Sequence, residues 1–309
     1  MNLLLFCLGL ALLLLGGDIV VRGATRLSHR LKVSPLFVGI IIVGFGTSLP
    51  EIAVNIDAAL RELPGLAIGN VIGSNIANIM LILGTAAVIC PVTVQGLKVG
   101  PDYTALIITT IMFAGFGLIF GFILWWHGVL LLATIAGYIT LTLRQAKSDT
   151  KSNQDDIWPR TNSFAVIFIL LTIGFLALIG GAEFLVRGAI GLSIILGISE
   201  ETIGLTAVAF GTSLPEIAIT SIAAWRRNTQ LCLGNVIGSN LFNITVITGI
   251  TALIIPLPFS PEILDFDLWV LILTSIYISV VLIVGKRIKR VSGIILITLY
   301  LIYISTHFF

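Results

Sequence analysis

Apolar runs of roughly 20 residues, separated by short breaks marked with glycine, proline or charge, recur from one end of the chain to the other. That length of helix crosses the hydrocarbon of a bilayer. The pattern therefore predicts ten membrane-spanning helices, at about 2–21, 34–60, 64–91, 103–122, 124–143, 164–186, 199–225, 229–256, 267–285 and 291–308. The first run is read as a span rather than a cleavable leader. No basic residues precede it, and it continues into Gly16-Gly17-Asp18 instead of a small-residue cleavage site. The clearly polar stretch, 146–162, is predicted to be a short cytoplasmic linker between halves 1–145 and 163–309, each holding five spans.

Composition agrees with an all-α polytopic membrane protein. Of 309 residues, 57% are hydrophobic and 10% charged, and the mean hydropathy is +1.12. Soluble domains carry about 25% charged residues. With the N-terminus outside, ten spans place 15 of the 17 Lys and Arg on cytoplasmic loops and leave Arg61 and Arg187 outside. This is the segregation that the positive-inside rule requires, and it puts both termini outside a cell (inner or plasma) membrane. A net charge of +2 gives no reason to invoke nucleic acid. Cys7, Cys90 and Cys232 read as small apolar residues within spans. His29, His127 and His307 lie at span ends without clustering, so no resident cofactor is expected.

The halves repeat each other. Residues 43–53 (VGFGTSLPEIA) match 208–218 (VAFGTSLPEIA) at ten of eleven positions. Residues 69–79 (GNVIGSNIANI) match 234–244 (GNVIGSNLFNI) at nine of eleven, at the same offset of 165. GGDIVVRGA (16–24) likewise aligns with GAEFLVRGA (181–189). An odd number of spans per repeat inserts the second copy upside down.

Each copy places a carboxylate inside apolar sequence. Thr47 and Glu51 share a helix face with Ser48 beside them, and Thr212, Ser213 and Glu216 repeat the spacing. Pro50 and Pro215, with nearby glycines, are expected to loosen the helix and free carbonyls around Gly44, Thr47, Ala209 and Thr212. Ser74 and Asn78 lie four residues apart in the next span, as do Ser239 and Asn243, after glycines that let helices approach closely. Carboxylates, hydroxyls, amide oxygens and carbonyls form an oxygen-only ligand set, which suits hard cations such as Ca2+ and Na+.

Taken singly, the Gly-x-x-x-Gly pairs read as packing motifs, the asparagines as interhelical hydrogen-bond partners and the prolines as kinks. The glutamates have no comparable structural reading. An acid at mid-membrane carries about 2.5–3.5 kcal/mol of unfavourable insertion energy. Neither of these spans offers a Lys or Arg to offset it. A divalent cation would neutralise the pair. Asp18, Asp57 and Glu183 lie nearer span ends, where water reaches them, and Asp18 and Glu183 are read as entrance residues.

GTSLPE in one span and GNVIGSN-x-x-N in the next, repeated in two halves of five spans, resembles the cation/Ca2+ exchanger superfamily, and most nearly its prokaryotic Na+/Ca2+ exchangers. The resemblance covers essentially the whole chain. It implies ten helices with a site between spans 2, 3, 7 and 8. The implied ligands are Thr47, Ser48, Glu51, Ser74 and Asn78, their counterparts Thr212, Ser213, Glu216, Ser239 and Asn243, and the carbonyls of Gly44 and Ala209. It also implies that spans 1 and 6 slide across the rest. Several family members carry aspartate where this chain has Asn243, so the site here holds two acids instead of three.

The leading reading is a Ca2+/Na+ antiporter working by alternating access. The alternative on the same scaffold is exchange of Ca2+ or another cation for H+. A cation channel fits an inverted repeat less well, since channels more often build a pore on an oligomer axis, and nothing here requires more than a monomer. An enzyme is not expected: the chain has neither a phosphate-binding G-x-x-x-x-G-K-[ST] loop nor an H-E-x-x-H zinc motif.

Overall fold

The computed structural model describes residues 1–94, 97, 99–149, 163–195, 200–284 and 287–307, and does not describe the side chains of 145–149, 192–195 and 200–210. Its long elements are helices: α1 (Asn2–Leu31), α2 (Pro35–Thr47), α3 (Leu49–Leu60), α4 (Pro64–Ile89), α5 (Gly100–Phe120), α6 (Trp125–Asp149), α7 (Phe164–Ile195), α8 (Glu200–Trp225), α9 (Thr229–Ile254), α10 (Ile263–Val284) and α11 (Arg290–Ser305). Among the described residues, seven helices are long and apolar enough to cross a membrane. The bent pair α2–α3 makes an eighth, and α11 is a shorter apolar helix.

Every predicted apolar run coincides with a helix or with that bent pair. The two largest differences are extensions. α1 continues ten residues past the predicted 21, and α7 nine past 186. In α1, Thr25 and Ser28 return their hydroxyls to the carbonyls of Val21 and Thr25, which lets polar residues continue the helix. It ends where Lys32 turns left-handed (φ 55°) and its N–H closes on the last turn. Thirty residues span about 45 Å, longer than a hydrocarbon core of roughly 30 Å. α6 likewise carries helix to Asp149, into the stretch read as a linker, and 150–162 lie outside the described residues.

Among the described residues, four two-residue strands were not part of the all-helical expectation: β1 (Val92–Thr93), β2 (Phe122–Ile123), β3 (Leu257–Pro258) and β4 (Arg287–Ile288). β1 pairs antiparallel with β4, and β2 with β3. Adding 165 to β1 and β2 gives β3 and β4, so each ladder is the other with its partners exchanged.

The same exchange recurs in the packing. A Cβ on Gly84 would stand 3.0 Å from the Gly293 carbonyl oxygen, and one on Gly249 would stand 3.1 Å from that of Gly128. Between α1 and α7, Gly9 and Gly16 meet Gly181 and Gly174, so that a Cβ on Gly16 would lie 2.9 Å from the Gly174 oxygen. Gly9, Gly16 and Gly23, at seven-residue intervals, are matched by Gly174, Gly181 and Gly188. Small residues at this spacing let two backbones approach and lock together. Tyr138 donates to Asp102 (2.6 Å) between α6 and α5, and Tyr303 to Asp267 (2.9 Å) between α11 and α10. His307 Nε2 also lies 3.0 Å from Asp267.

Candidate ion-binding site

The site grows out of two breaks in regular helix. α2 starts at Pro35, with the Ser34 hydroxyl accepting the Phe37 N–H, and it carries a π-helical turn over Gly39–Gly44. Regular geometry fails at Ser48 (φ −81°, ψ 4°), and α3 leaves at 41° to α2. Pro50 sits in the first turn of α3, where its missing N–H does least harm. Glu51 occupies the same turn, at the helix end whose dipole favours negative charge. The second copy differs, because α8 runs through Pro215 unbroken and Glu216 lies mid-helix. α4 and α9 each carry a π-helical turn beginning at the repeated asparagine, Asn78–Ile82 and Asn243–Ile247. Such turns disturb the regular carbonyl ladder and recur at functional sites.

The elements cross between copies. α3 packs against the turn at Asn243, and α8 against the turn at Asn78. Thr47, Ser48, Glu51, Ser74, Asn78, Thr212, Ser213, Glu216, Ser239 and Asn243 are all buried. The Glu51 and Glu216 carboxylates lie close enough to feel each other's charge; Thr212 faces Glu51 and Thr47 faces Glu216. Six oxygens of this group have no hydrogen-bond partner among the described residues: Ser48 Oγ, Glu51 Oε2, Thr212 Oγ1, Ser213 Oγ, Glu216 Oε2 and Asn243 Oδ1. Buried polar atoms are ordinarily satisfied, so a cluster of orphaned acceptors has the chemistry of a cation cage. Groups of three or more His, Cys, Asp or Glu are absent among the described residues. Two carboxylates supplemented by neutral oxygens are the donors on offer.

The backbone oxygens depart from expectation. The Gly44 carbonyl keeps its intrahelical partner, the Ser48 N–H at 3.2 Å, and also accepts from Ser239 Oγ at 3.5 Å. Proline interrupts the ladder four residues upstream of itself, so Pro50 and Pro215 spare the carbonyls of Gly46 and Gly211 instead. Ala209 lies within α8, but its side chain and surroundings are outside the described residues.

α9 closes tightly on α2. Gly234 and Gly238 on α9 press against α2, where a Cβ on Gly238 would stand 2.4 Å from the Ile40 oxygen. Their equivalents on α4, Gly69 and Gly73, were expected to pack as closely. A Cβ on either meets nothing within 4 Å among the described residues, and Gly69 is exposed. The stretch of α8 equivalent to this part of α2, 200–209, has its side chains outside the described residues.

Sequence reasoning passed over the first asparagine of each GNVIGSN motif. Asn235 donates to Thr220 (2.9 Å) and accepts from Thr47 (3.2 Å), and Asn70 likewise donates to Asn55 (2.6 Å), the equivalent of Thr220. It also missed Asn75 and Asn240, buried with their side-chain oxygens unpartnered. The doubling that exposed the glutamates applied equally to these residues.

A fold of crossed apolar helices around a buried, two-carboxylate oxygen cluster is that of a cation exchanger embedded in a membrane. The family model described as "Sodium/calcium exchanger protein" matches residues 1–144 and 166–309, and the chain belongs to that family. It is 35% identical over 305 residues to an uncharacterised membrane protein of Methanocaldococcus jannaschii, covering 97% of this chain and 96% of the relative. It is 31% identical to the sodium/calcium exchanger MaX1 of Methanosarcina acetivorans, covering 100% and 99%. Among solved structures, the sodium-calcium exchanger NCX_Mj soaked with 10 mM Na+ and 10 mM Sr2+ superposes with a TM-score of 0.86 at 34% identity, covering 98% of this chain and 97% of that one.

Proposed function

We propose that this chain is a Ca2+/Na+ antiporter that works by alternating access, with Glu51 and Glu216 as the shared, ion-exchanging carboxylates. The observation that carries the reading is the set of six unpartnered buried oxygens contributed by both copies of the motif. Two like charges in a low dielectric repel, and a Ca2+ between them cancels both while filling the orphaned lone pairs of Ser48, Thr212, Ser213 and Asn243. Ser74, Asn78, Ser239 and Thr47 complete the cage, with the Gly44 and Ala209 carbonyls at its ends. Na+ takes the same oxygens singly, so the two ions compete.

In this reading the chain has ten spans, arranged as repeats 1–145 and 163–309 inserted in opposite directions and joined by the linker 146–162. The partner-exchanged ladders and glycine contacts support that arrangement. Both termini lie outside the cell membrane. The sealed α2–α9 contact then belongs to the cytoplasmic half and Gly69, exposed among the described residues, to the outer half, which corresponds to a state closed toward the cytoplasm. With Asn78 matched by Asn243, two carboxylates balance one Ca2+ but not three Na+, so fewer than three Na+ or a net charge is expected per cycle.

The test is 45Ca uptake into proteoliposomes driven by a Na+ gradient. Uptake is expected to be abolished in Glu51→Gln and Glu216→Gln; undiminished uptake in either overturns the site. Uptake driven by a pH gradient without Na+ would replace Na+ with H+ as the counter-ion.

A further inference from the structure

Asp18 of α1 accepts from Arg226, just past α8, through Nε at 2.6 Å and also through the second guanidinium nitrogen, while Arg22 Nε lies 2.7 Å from its other oxygen. Asn228 adds a second tie across the same gap, donating to Thr25 at 3.2 Å. The equivalents of Asp18 and Arg226 under the 165-residue offset are Glu183 and Arg61. These two do not pair with each other. Arg61 Nε is held by Asp57 at 2.8 Å and Glu183 by Arg187, each within its own helix. The turns carrying the arginines are built alike, since Glu62 and Arg227, one residue on from Arg61 and Arg226, both have φ 58°. Part of the difference is local, since Arg226 has Ile222 where Arg61 has Asp57; the separation of Glu183 from Arg61 lies in where α1 and α7 stand.

α1 and α7 are fastened to each other. The Gly9–Gly181 and Gly16–Gly174 contacts are equivalent under exchange of the halves, so they need no change when the halves swap conformations. They also set Glu183, between Gly181 and Leu185, level with Gly9, about nine residues or roughly 14 Å along the shared axis from Asp18. A rigid pair that carries one acid toward its arginine carries the other acid away. We propose that Asp18–Arg226 and Glu183–Arg61 are alternative ion pairs, one made in each access state, and that Asp57 and Arg187 hold the idle partners meanwhile. The proposal rests on the alternating-access reading and adds the residues that decide between its two states.

The test uses full-length protein in which Cys7, Cys90 and Cys232 are replaced by alanine and one reporter cysteine is placed at Leu66 or at its equivalent Leu231, which are 49% and 0% exposed. Labelling by a membrane-impermeant maleimide from each side reports the two states. Arg226→Gln and Asp18→Asn are expected to slow labelling of Leu66→Cys and speed that of Leu231→Cys about two- to fivefold, the worth of a partly exposed ion pair. Arg226→Lys should restore the parental ratio, and it serves as the probe if Arg226→Gln does not fold. Arg61→Gln and Glu183→Gln should move the ratio the opposite way, and Asp57→Asn, which frees Arg61, should move it with Arg226→Gln. If Arg61–Asp57 were only a surface pair, Arg61→Gln and Asp57→Asn would shift the ratio alike, and that result, or no shift in Arg61→Gln and Glu183→Gln, overturns the proposal. A parent without Na+-driven Ca2+ uptake overturns the exchanger reading instead.

Discussion

The Thr47 hydroxyl stands 3.2 Å from the side-chain oxygen of Asn235, in the other half of the chain. Its counterpart Thr212 faces Glu51; Asn70 makes the same donation as Asn235, to Asn55 where Asn235 has Thr220. The two motifs thus share the asparagine's donation and differ in the threonine, which meets Asn235 in one copy.

Asn235→Ala is expected to destabilise the protein by about 1–3 kcal/mol, because it leaves Thr220 and Thr47 buried without this partner. Asn70→Ala should have less effect, since Asn70 is only half-buried. Thermal unfolding in detergent measures both.

Gly238→Ala drives a methyl into the α2 backbone and is expected to lower both stability and transport. Gly73→Ala meets nothing within 4 Å among the described residues and should leave stability within about 0.5 kcal/mol. If α8 must close on α4 during the cycle as α2 closes on α9 here, Gly73→Ala will still cut 45Ca flux severely. Normal flux in Gly73→Ala would mean that the outer half never closes this tightly.

Ca2+ at 100 times its dissociation constant is expected to stabilise the protein by about 2.7 kcal/mol. The accompanying rise in Tm should vanish in Glu51→Gln and Glu216→Gln, and excess Na+ should shrink it by competition. EGTA removes it in the parent.

Tyr138→Phe should be more harmful than Tyr303→Phe. Asp102 is buried and Tyr138 is its one side-chain partner among the described residues, so losing the hydroxyl costs about 1–3 kcal/mol. Asp267 keeps His307 when Tyr303 is changed. Comparing the two Tm values checks the order.

Much of this was legible from one dimension, because membrane insertion ties hydropathy to helix length. The doubled Glu51 and Glu216 marked the site since an acid there has so few structural uses. Less was visible where both copies share a sequence but not a conformation. Nothing in GTSLPE says that the chain bends at Ser48 yet continues as helix through Ser213, because the same residues sit in both and the difference comes from what packs around them. Asn70 and Asn235 were passed over for a related reason. A neutral amide in a glycine-rich helix reads as packing until its partner, 188 residues away in the case of Asn235 and Thr47, is in view. The glycines of α1 and α7, spaced by seven, were readable but blend into apolar sequence rich in glycine.

Each β ladder draws one strand from either half, so neither half can complete a sheet by itself. Two copies of a single half, inserted in opposite directions, would form both ladders between them. The chain has the connectivity of a dimer whose subunits are joined end to end, since β1 and β2 find their partners only in the second half.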